Sequence, residues 1–537
     1  MKAGQAIVDA LVRNGVDRIF GIPGVHTYAL FEALYERRNE IRFIGTRHEQ
    51  GAAYMAYGYA RSSGRPGVYT CVPGPGVLNT TAALCTAYGG NAPVLCVTSE
   101  IPSGEIGRGH GILHELPDQL GTLRTLVKWA ERIDHPSECA RIVDAAFNRM
   151  LSGRQGPVAI ECPWDTLGEA APVAALPAAA PDTPPLPDPA LVARAAALVA
   201  AARQPMIMLG SGAVEARAEI SALAELLQAP VTAHRSGRGI VGEDTSYGLN
   251  LAAAYEPWLR CDLLIAIGTR MELQYLRWRK FPEGLKIVRI DIDPREMVRR
   301  KADVGLVTDA RLGTRALVEA LRGKIGPRPP RAAEFAAAKA AARRKYETVQ
   351  PQVAYLDVIR ELLPRDGFFV EEICQAGFAA RFAFPVYDPR TYVSCGYQDN
   401  LGFGFMTALG VKAAHPDKPV VSISGDGGFM FGVQELATAV HHRLEVVAIV
   451  FNNRSFGNVL RDQATTYGGR HIGERLTNPD FAALARSFGA AAFAVRSPQE
   501  LRPALTKALA AKAPALIEVL VEPGSEVSPW PFLHPWA

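Results

Sequence analysis

The sequence predicts an α/β protein of three doubly wound domains, each a parallel sheet flanked by helices. Three observations carry that expectation. A chain of 537 residues is too long for one hydrophobic core and suits about three. Two stretches then break it. The Pro/Ala-rich "APVAALPAAAPDTPPLPDPA" (171–190) has neither helical nor strand period, and "GKIGPRPPRAAEFAAAKAAARRKYE" (323–347) passes from a proline-rich break into a helical connector. Between the breaks, short β-branched runs alternate with helical segments. The runs are apolar throughout, as strands buried on both faces are. The blocks are 1–170, 190–328 and 350–525, followed by a tail, 526–537.

The opening "MKAGQAIVDALVRNGVDRIFGIPG" sets Ala6, Ile7, Ala10 and Leu11 at helical spacing, with charges between and no cleavage-type ending, which predicts a helix and not a leader. In the first block "IRFIGT" leads into the helical "EQGAAYMAYGYARSSG" and "GVYTCV" into "GVLNTTAALCTAYGG"; "APVLCVTS" and "GPVAIECP" follow as strands. The middle block contributes "PMIMLGSG", "CDLLIAIGT" and "KIVRIDID". The third contributes "GFFVEE", "PVVSISGD", "LEVVAIVFNN" and "PALIEVLVEP". Ligands of open α/β sheets sit beyond the C-terminal strand ends. The strand-to-helix turns at 21–26, 46–50, 72–76, 210–213 and 425–428 are therefore the places to look for a site.

With 48% hydrophobic and 21% charged residues, the chain reads as an ordinary soluble globular protein. A formal net charge of +4, from 58 basic and 54 acidic residues with no basic block, argues against nucleic acid as a partner. No apolar run reaches the roughly 18 residues of a membrane span. The eight scattered cysteines form no C-x-x-C pair and read as buried thiols of a reducing compartment, so a cytoplasmic location is expected.

The chemistry concentrates in "GDGGFMFGVQELATAVHHRLEVVAIVFNN" (425–453). "VVSIS" runs into Gly425-Asp426-Gly427, whose glycines let the backbone approach a ligand, and helical periodicity follows. "EVVAIVF" then delivers Asn452-Asn453 at the end of the next strand, on the same sheet edge as Asp426. One carboxylate with amide and backbone oxygens is a hard-oxygen set that suits Mg²⁺ beside a diphosphate. Gly-Asp-Gly, 24 residues, then Asn-Asn closely resembles the diphosphate- and magnesium-binding motif of thiamine diphosphate enzymes. "GIPGVHTYALFEAL", "RHEQGAAYMAYGYARSSGRPG", "GPGVLNTTAAL", "NAPVLCVTS", "LGFGFMTALG" and "IDIDP" extend the likeness over nearly the whole chain. Together they resemble the acetolactate synthase/2-oxo acid decarboxylase superfamily, and in short motifs most of all its 5-guanidino-2-oxopentanoate decarboxylases.

The resemblance implies pyrimidine-binding, central and diphosphate-binding domains in that order. It makes Asp426, the Asn453 side chain and the Ser455 main-chain carbonyl the Mg²⁺ ligands, with Gly425, Gly427, Gly428, Pro23 and Gly74 as further cofactor contacts. Glu49 matches the glutamate that shuttles a proton at the aminopyrimidine ring, and Leu401 the apolar wedge that bends the cofactor. In this superfamily the glutamate and the diphosphate site come from different subunits, which implies a homodimer or homotetramer.

Departures from the pattern bear on the substrate. Val72-Pro73 stand where some decarboxylases carry histidine, and Val459 stands where simple pyruvate decarboxylases keep a glutamate. His26 remains as an acid/base, in the position of the histidine of benzaldehyde lyase-like members. Gln119 matches a glutamine commonly near the substrate and is assigned a catalytic part; His114 and Glu115 in the loop "GRGHGILHELPDQ" are weaker candidates. The aromatic tail "EVSPWPFLHPWA" is read as a lid rather than a strand-end cap. Gly210-x-Gly212 is followed by Glu215 where a third glycine would fall, a poor dinucleotide fingerprint, so a middle domain without FAD is favoured over one with it. The expected reaction is decarboxylation of a 2-oxo acid through an enamine held on the cofactor, releasing CO₂ and an aldehyde. The alternatives are an acetolactate synthase-type carboligase, a benzaldehyde lyase-like enzyme acting on hydroxyketones, and a pyruvate oxidase-type flavoenzyme.

Overall fold

A computed structural model of the chain describes residues 1–278, 280–299 and 301–535. Its strands form three six-stranded sheets, and every pairing between them is parallel. The first holds β1 (Arg18–Gly21), β2 (Arg42–Gly45), β3 (Gly67–Cys71), β4 (Val94–Glu100), β5 (Trp129–Arg132) and β6 (Val158–Pro163), in the order β2-β1-β3-β4-β6-β5. The second holds β7 (Pro205–Leu209), β8 (Val231–Ala233), β9 (Gly248–Leu249), β10 (Leu263–Ile267), β11 (Lys286–Asp291) and β12 (Val304–Val307), in the order β12-β11-β10-β7-β8-β9. The third holds β13 (Phe368–Glu371), β14 (Tyr392–Val393), β15 (Val420–Gly425), β16 (Val446–Asn452), β17 (Ala491–Val495) and β18 (Ala515–Leu520), in the order β14-β13-β15-β16-β18-β17. The first and third sheets thus share one topology without a shared sequence repeat. The second has the doubly wound order of dinucleotide-binding folds.

The inner strands are fully buried apolar runs, as in β3, β4, β10 and β16. Between the sheets, residues 171–188 carry no regular structure and Ala332–Tyr346 is helical. The third domain shares a hydrophobic cluster with each of the others: one joins Tyr54 and Tyr57 to Phe403 and Met406, another joins Trp258 and Phe335 to Phe369 and Phe382. The first and third domains meet where the helices Glu49–Ser63 and Gly404–Ala414 cross. A β-carbon on Gly58 would lie 2.1 Å from the Thr407 carbonyl oxygen, and one on Gly410 would lie 1.9 Å from that of Met55, so two main chains touch there directly.

The segment after β15 corrects one expectation. Instead of one helix it forms two short ones, Asp426–Phe429 and Glu435–His442, separated by a turn. Three glycines in 427–432 lower helix propensity, and Gly432 packs its backbone against Met406.

Candidate active site

Register brings the metal donors together. Gly425 pairs with Phe451 in the β15–β16 ladder, so Asp426 and the two asparagines leave the sheet at the same edge. The asparagines then divide their work. Asn452 turns back into the fold, donating to Glu518 at 2.7 Å and accepting from Asn478 at 2.9 Å. Asn453 Oδ1 accepts from the amide and the hydroxyl of Ser455, each at 3.0 Å. Between them and the next strand-like turn, Arg454 is held at φ 55°, a left-handed conformation that costs a non-glycine residue about 1–3 kcal/mol and marks sites where geometry is imposed. No hydrogen bond reaches the Ser455 carbonyl among the described residues.

Asp426, Asn453 and Ser455 are all buried. Asp426 accepts from Gly427 N at 3.0 Å and from Asn478 Nδ2 at 2.7 Å, both neutral donors, and among the described residues no Lys or Arg pairs with it. Burial accordingly raises its carboxyl above the ordinary range, against the pull of those hydrogen bonds. A buried carboxylate with no cation, beside an amide oxygen and a carbonyl without a donor, fits a hard divalent metal.

Glu372, at the end of β13, organises the other wall. It accepts from Gly402 N at 3.1 Å, Gly404 N at 2.5 Å and Ser424 Oγ at 3.2 Å, and a β-carbon on Gly428 would lie 1.8 Å from its Oε1. Burial pushes this carboxyl up to about 7, although its donors pull it back. The turn so fixed presents Leu401, half-buried and outside the described hydrophobic clusters.

In the first domain Glu49 opens its helix after β2, and Asn79 Nδ2 donates to Glu49 Oε2 at 3.0 Å. The turn before it is held from the third domain: buried Glu435 accepts from Arg47 N at 3.1 Å and His48 N at 2.9 Å. His26 is fully buried in the turn after β1, with its Nε2 3.1 Å from the Leu113 carbonyl. A carbonyl only accepts, so Nε2 carries the proton and Nδ1 keeps a bare lone pair with no partner among the described residues. Burial and the neighbouring His114, whose ring stacks at 4.7 Å, hold the imidazole below its ordinary range, hence neutral at pH 7. Pro23 lies on the same turn, exposed.

Gln119 is buried, and its amide is spent within the domain. Its Oε1 accepts from Gly74 N at 2.8 Å, and its Nε2 donates to Ser99 O at 2.9 Å and to Glu161 at 3.0 Å. Glu115 is likewise occupied, accepting from the amides of Gly109, Gly111 and Ile112. Of the tail, Trp536 and Ala537 lie outside the described residues. The rest docks against the third domain, with Trp530 against Phe378 at 5.0 Å and Leu533 fully buried, and reaches the middle domain through His534, whose Nε2 lies 2.8 Å from Arg277 Nη1.

The second sheet opens at its switch point, between β7 and β10, into a cavity of about 430 Å³. Glycine backbone at 210, 212 and 268 and the side chains of Arg61, Arg154, Arg235, Arg270, Arg311 and Arg390 line it. The middle domain therefore borders a formed cavity despite its poor fingerprint, and the carboxylates of Asp182, Glu215, Glu272, Asp291, Glu296 and Asp309 in its lining offset the arginines.

Sequence reasoning missed Glu372, Glu435, Asn478 and the tail carboxylate Glu526. All four act on backbone amides or on residues distant in sequence, and none belongs to a recognisable spacing.

Three parallel-sheet domains, with a buried oxygen-donor set in the last and a helix-opening glutamate in the first, define a cofactor-dependent carbon–carbon lyase or carboligase. The chain belongs to the thiamine pyrophosphate enzyme family. Residues 1–122 match its N-terminal TPP binding domain, 192–319 its central domain and 373–519 its C-terminal TPP binding domain. The chain is 36% identical to the probable 2-ketoarginine decarboxylase AruI of Pseudomonas aeruginosa, over 93% of this chain and 90% of the relative. It is 33% identical to a probable acetolactate synthase large subunit of Methanocaldococcus jannaschii, over 97% and 92%, and 32% identical to an acetolactate synthase of Arthrospira platensis, over 96% and 93%.

Proposed function

We propose that this chain is a thiamine diphosphate- and Mg²⁺-dependent decarboxylase that splits a 2-oxo acid into CO₂ and an aldehyde. The observation that carries the reading is the buried, cation-free Asp426 carboxylate beside the Asn453 amide and the Ser455 carbonyl. Three hard oxygens on one sheet edge suit Mg²⁺, whose remaining positions are filled by phosphate and water. Thiamine diphosphate, when bound, supplies the nucleophilic carbon and the electron sink that loss of CO₂ demands.

The chain's own residues do the rest. Asp426, Asn453 and Ser455 would hold the metal, and the glycines at 425, 427 and 428 would let the backbone approach the diphosphate. Leu401 would pack its apolar side chain against the cofactor. Glu49 holds and moves a proton at the aminopyrimidine edge, its carboxyl oriented by Asn79. His26 takes or gives a proton at a substrate oxygen through its bare Nδ1. Gln119 supports the Gly74 turn against the same edge.

The first substrate to try is 2-ketoarginine, the acid in the name of the Pseudomonas relative. The synthase names of the other relatives favour a second reading, a carboligase that joins two carbonyl compounds. Exposed apolar side chains next to both half-sites in the chain, Leu78 on one and Met430, Phe431 and Val459 on the other, support a homodimer or homotetramer whose sites close between subunits. The central cavity is read as free of flavin.

The test is cofactor- and Mg²⁺-dependent CO₂ release from a panel of 2-oxo acids, with products identified by NMR. Release with the matching aldehyde is expected. A hydroxyketone as sole product turns the assignment to the carboligase, and turnover without added or retained thiamine diphosphate refutes both.

A further inference from the structure

After β18 the chain returns to the edge where the metal donors stand, and Glu526 meets one of them. Its Oε2 accepts from Asn453 Nδ2 at 2.7 Å, and its carbonyl accepts from Arg461 at 3.3 Å. The segment that follows is pinned. Val527 N donates to Gln350 O at 3.0 Å, Gln352 Nε2 donates to Val527 O at 2.7 Å, and Trp530 Nε1 donates to Asn458 Oδ1 at 2.8 Å.

The oxygen and nitrogen ends of an asparagine amide are nearly the same shape, so packing alone does not choose between them. Glu526 does choose, because the oxygen it turns to Asn453 accepts a hydrogen bond from the NH₂ end. It takes the NH₂ end of Asn453 and rejects the oxygen end, so Oδ1 faces Ser455 instead. A metal requires that oxygen. We infer that Glu526 is a positioning residue for the metal site: it holds the Asn453 carboxamide with its oxygen available as a ligand, and so ties cofactor retention to the docking of the C-terminal segment. The inference rests on the metal reading given above. It puts Glu526 one bond behind a ligand, where substitutions change metal affinity by about 10–100-fold.

The experiment measures the Mg²⁺ concentration needed for half-maximal thiamine diphosphate retention by the full chain, by titration calorimetry. Mn²⁺ replaces Mg²⁺ in a parallel electron paramagnetic resonance titration of free metal. Glu526→Leu removes the acceptor. Glu526→Gln keeps its shape and one acceptor oxygen but adds an NH₂, so it admits either amide orientation. The Leu variant is expected to need roughly 10–100-fold more metal and the Gln variant to fall between it and the wild type, with the unliganded Gln variant melting as the wild type does. An unchanged metal requirement in both variants overturns the inference. So does a loss in the Gln variant matched by a lower unliganded melting temperature, the mark of a merely structural contact. If the wild type itself retains the cofactor without metal, the metal reading fails, and that result is separate from either outcome.

Discussion

At the scale of single residues, the candidate site gathers carboxyl groups: Asp426, Glu372 and Glu435 are buried, whereas Glu49 is half-buried. Glu49 is the one proposed for proton transfer. Glu49→Gln should leave thiamine diphosphate binding in place and slow turnover by about 10²–10⁴-fold, the usual weight of a positioned acid or base; equal turnover by the variant would falsify the assignment. Glu372 makes a different prediction, about stability. Its carboxyl sits at about 7 in the fold against an ordinary 4.5, so the native state binds this proton more tightly than the unfolded chain does. Its burial therefore costs nothing below pH 4.5, costs increasingly more as pH rises through 7, and levels off above, by about 3 kcal/mol in all. Denaturant unfolding of the metal-free protein from pH 5 to 8 should show the wild type losing stability relative to Glu372→Gln; parallel curves would remove Glu372 as the cause. Asp426 and Asn453 were legible in the sequence because their spacing and the strand–turn–helix context are both local patterns. Glu435 was not, since it holds amides 388 positions away.

At the scale of elements, most inner strands announced themselves as unbroken apolar runs, whereas β8 and the edge strands β5, β9, β12, β14 and β17 did not. β8, β9 and β14 are two or three residues long and β17 is mostly half-exposed, so no continuous run marks them. That the first and third sheets share a topology was equally invisible, because pairing order is set by long-range contacts and leaves no period. The crossing of Glu49–Ser63 with Gly404–Ala414 depends on glycine. Gly410→Ala gains up to about 1 kcal/mol of helix propensity but drives a methyl group against the Met55 carbonyl, and overpacking of this kind costs about 1–3 kcal/mol or more. The variant is therefore expected to melt below the wild type; a higher melting temperature would mean the helices separate at no cost.

At the scale of the whole molecule, the third domain is the hub. It shares a hydrophobic cluster with each neighbour, and it is tied to the middle domain by the pair of Arg235 with Asp399 at 2.8 Å and by Arg238, which donates to the Ala380 carbonyl at 2.9 Å. If sites close between subunits, mixing two inactive variants should restore activity. Glu49→Gln and Asp426→Ala, dissociated and reassociated together, would give mixed dimers with one intact site and one doubly damaged one. Random pairing predicts recovery of about a quarter of wild-type activity. No recovery, with mixed dimers demonstrated by differently tagged chains, would place both residues in a site made by one chain.

The glycine crossing has one more consequence. At Gly58 and Gly410 each helix reads the partner helix through main-chain carbonyls, which every residue type presents alike. At those two points the join is indifferent to the partner residue's side chain, provided the glycines stay, whereas the surrounding packing of Tyr54 and Tyr57 on Phe403 and Met406 depends on side-chain shape. First domains from relatives that keep both the glycine and the two tyrosines should graft onto this third domain with little repair, which makes the chain a natural host for hybrids in which one parent supplies Glu49 and the other the metal edge.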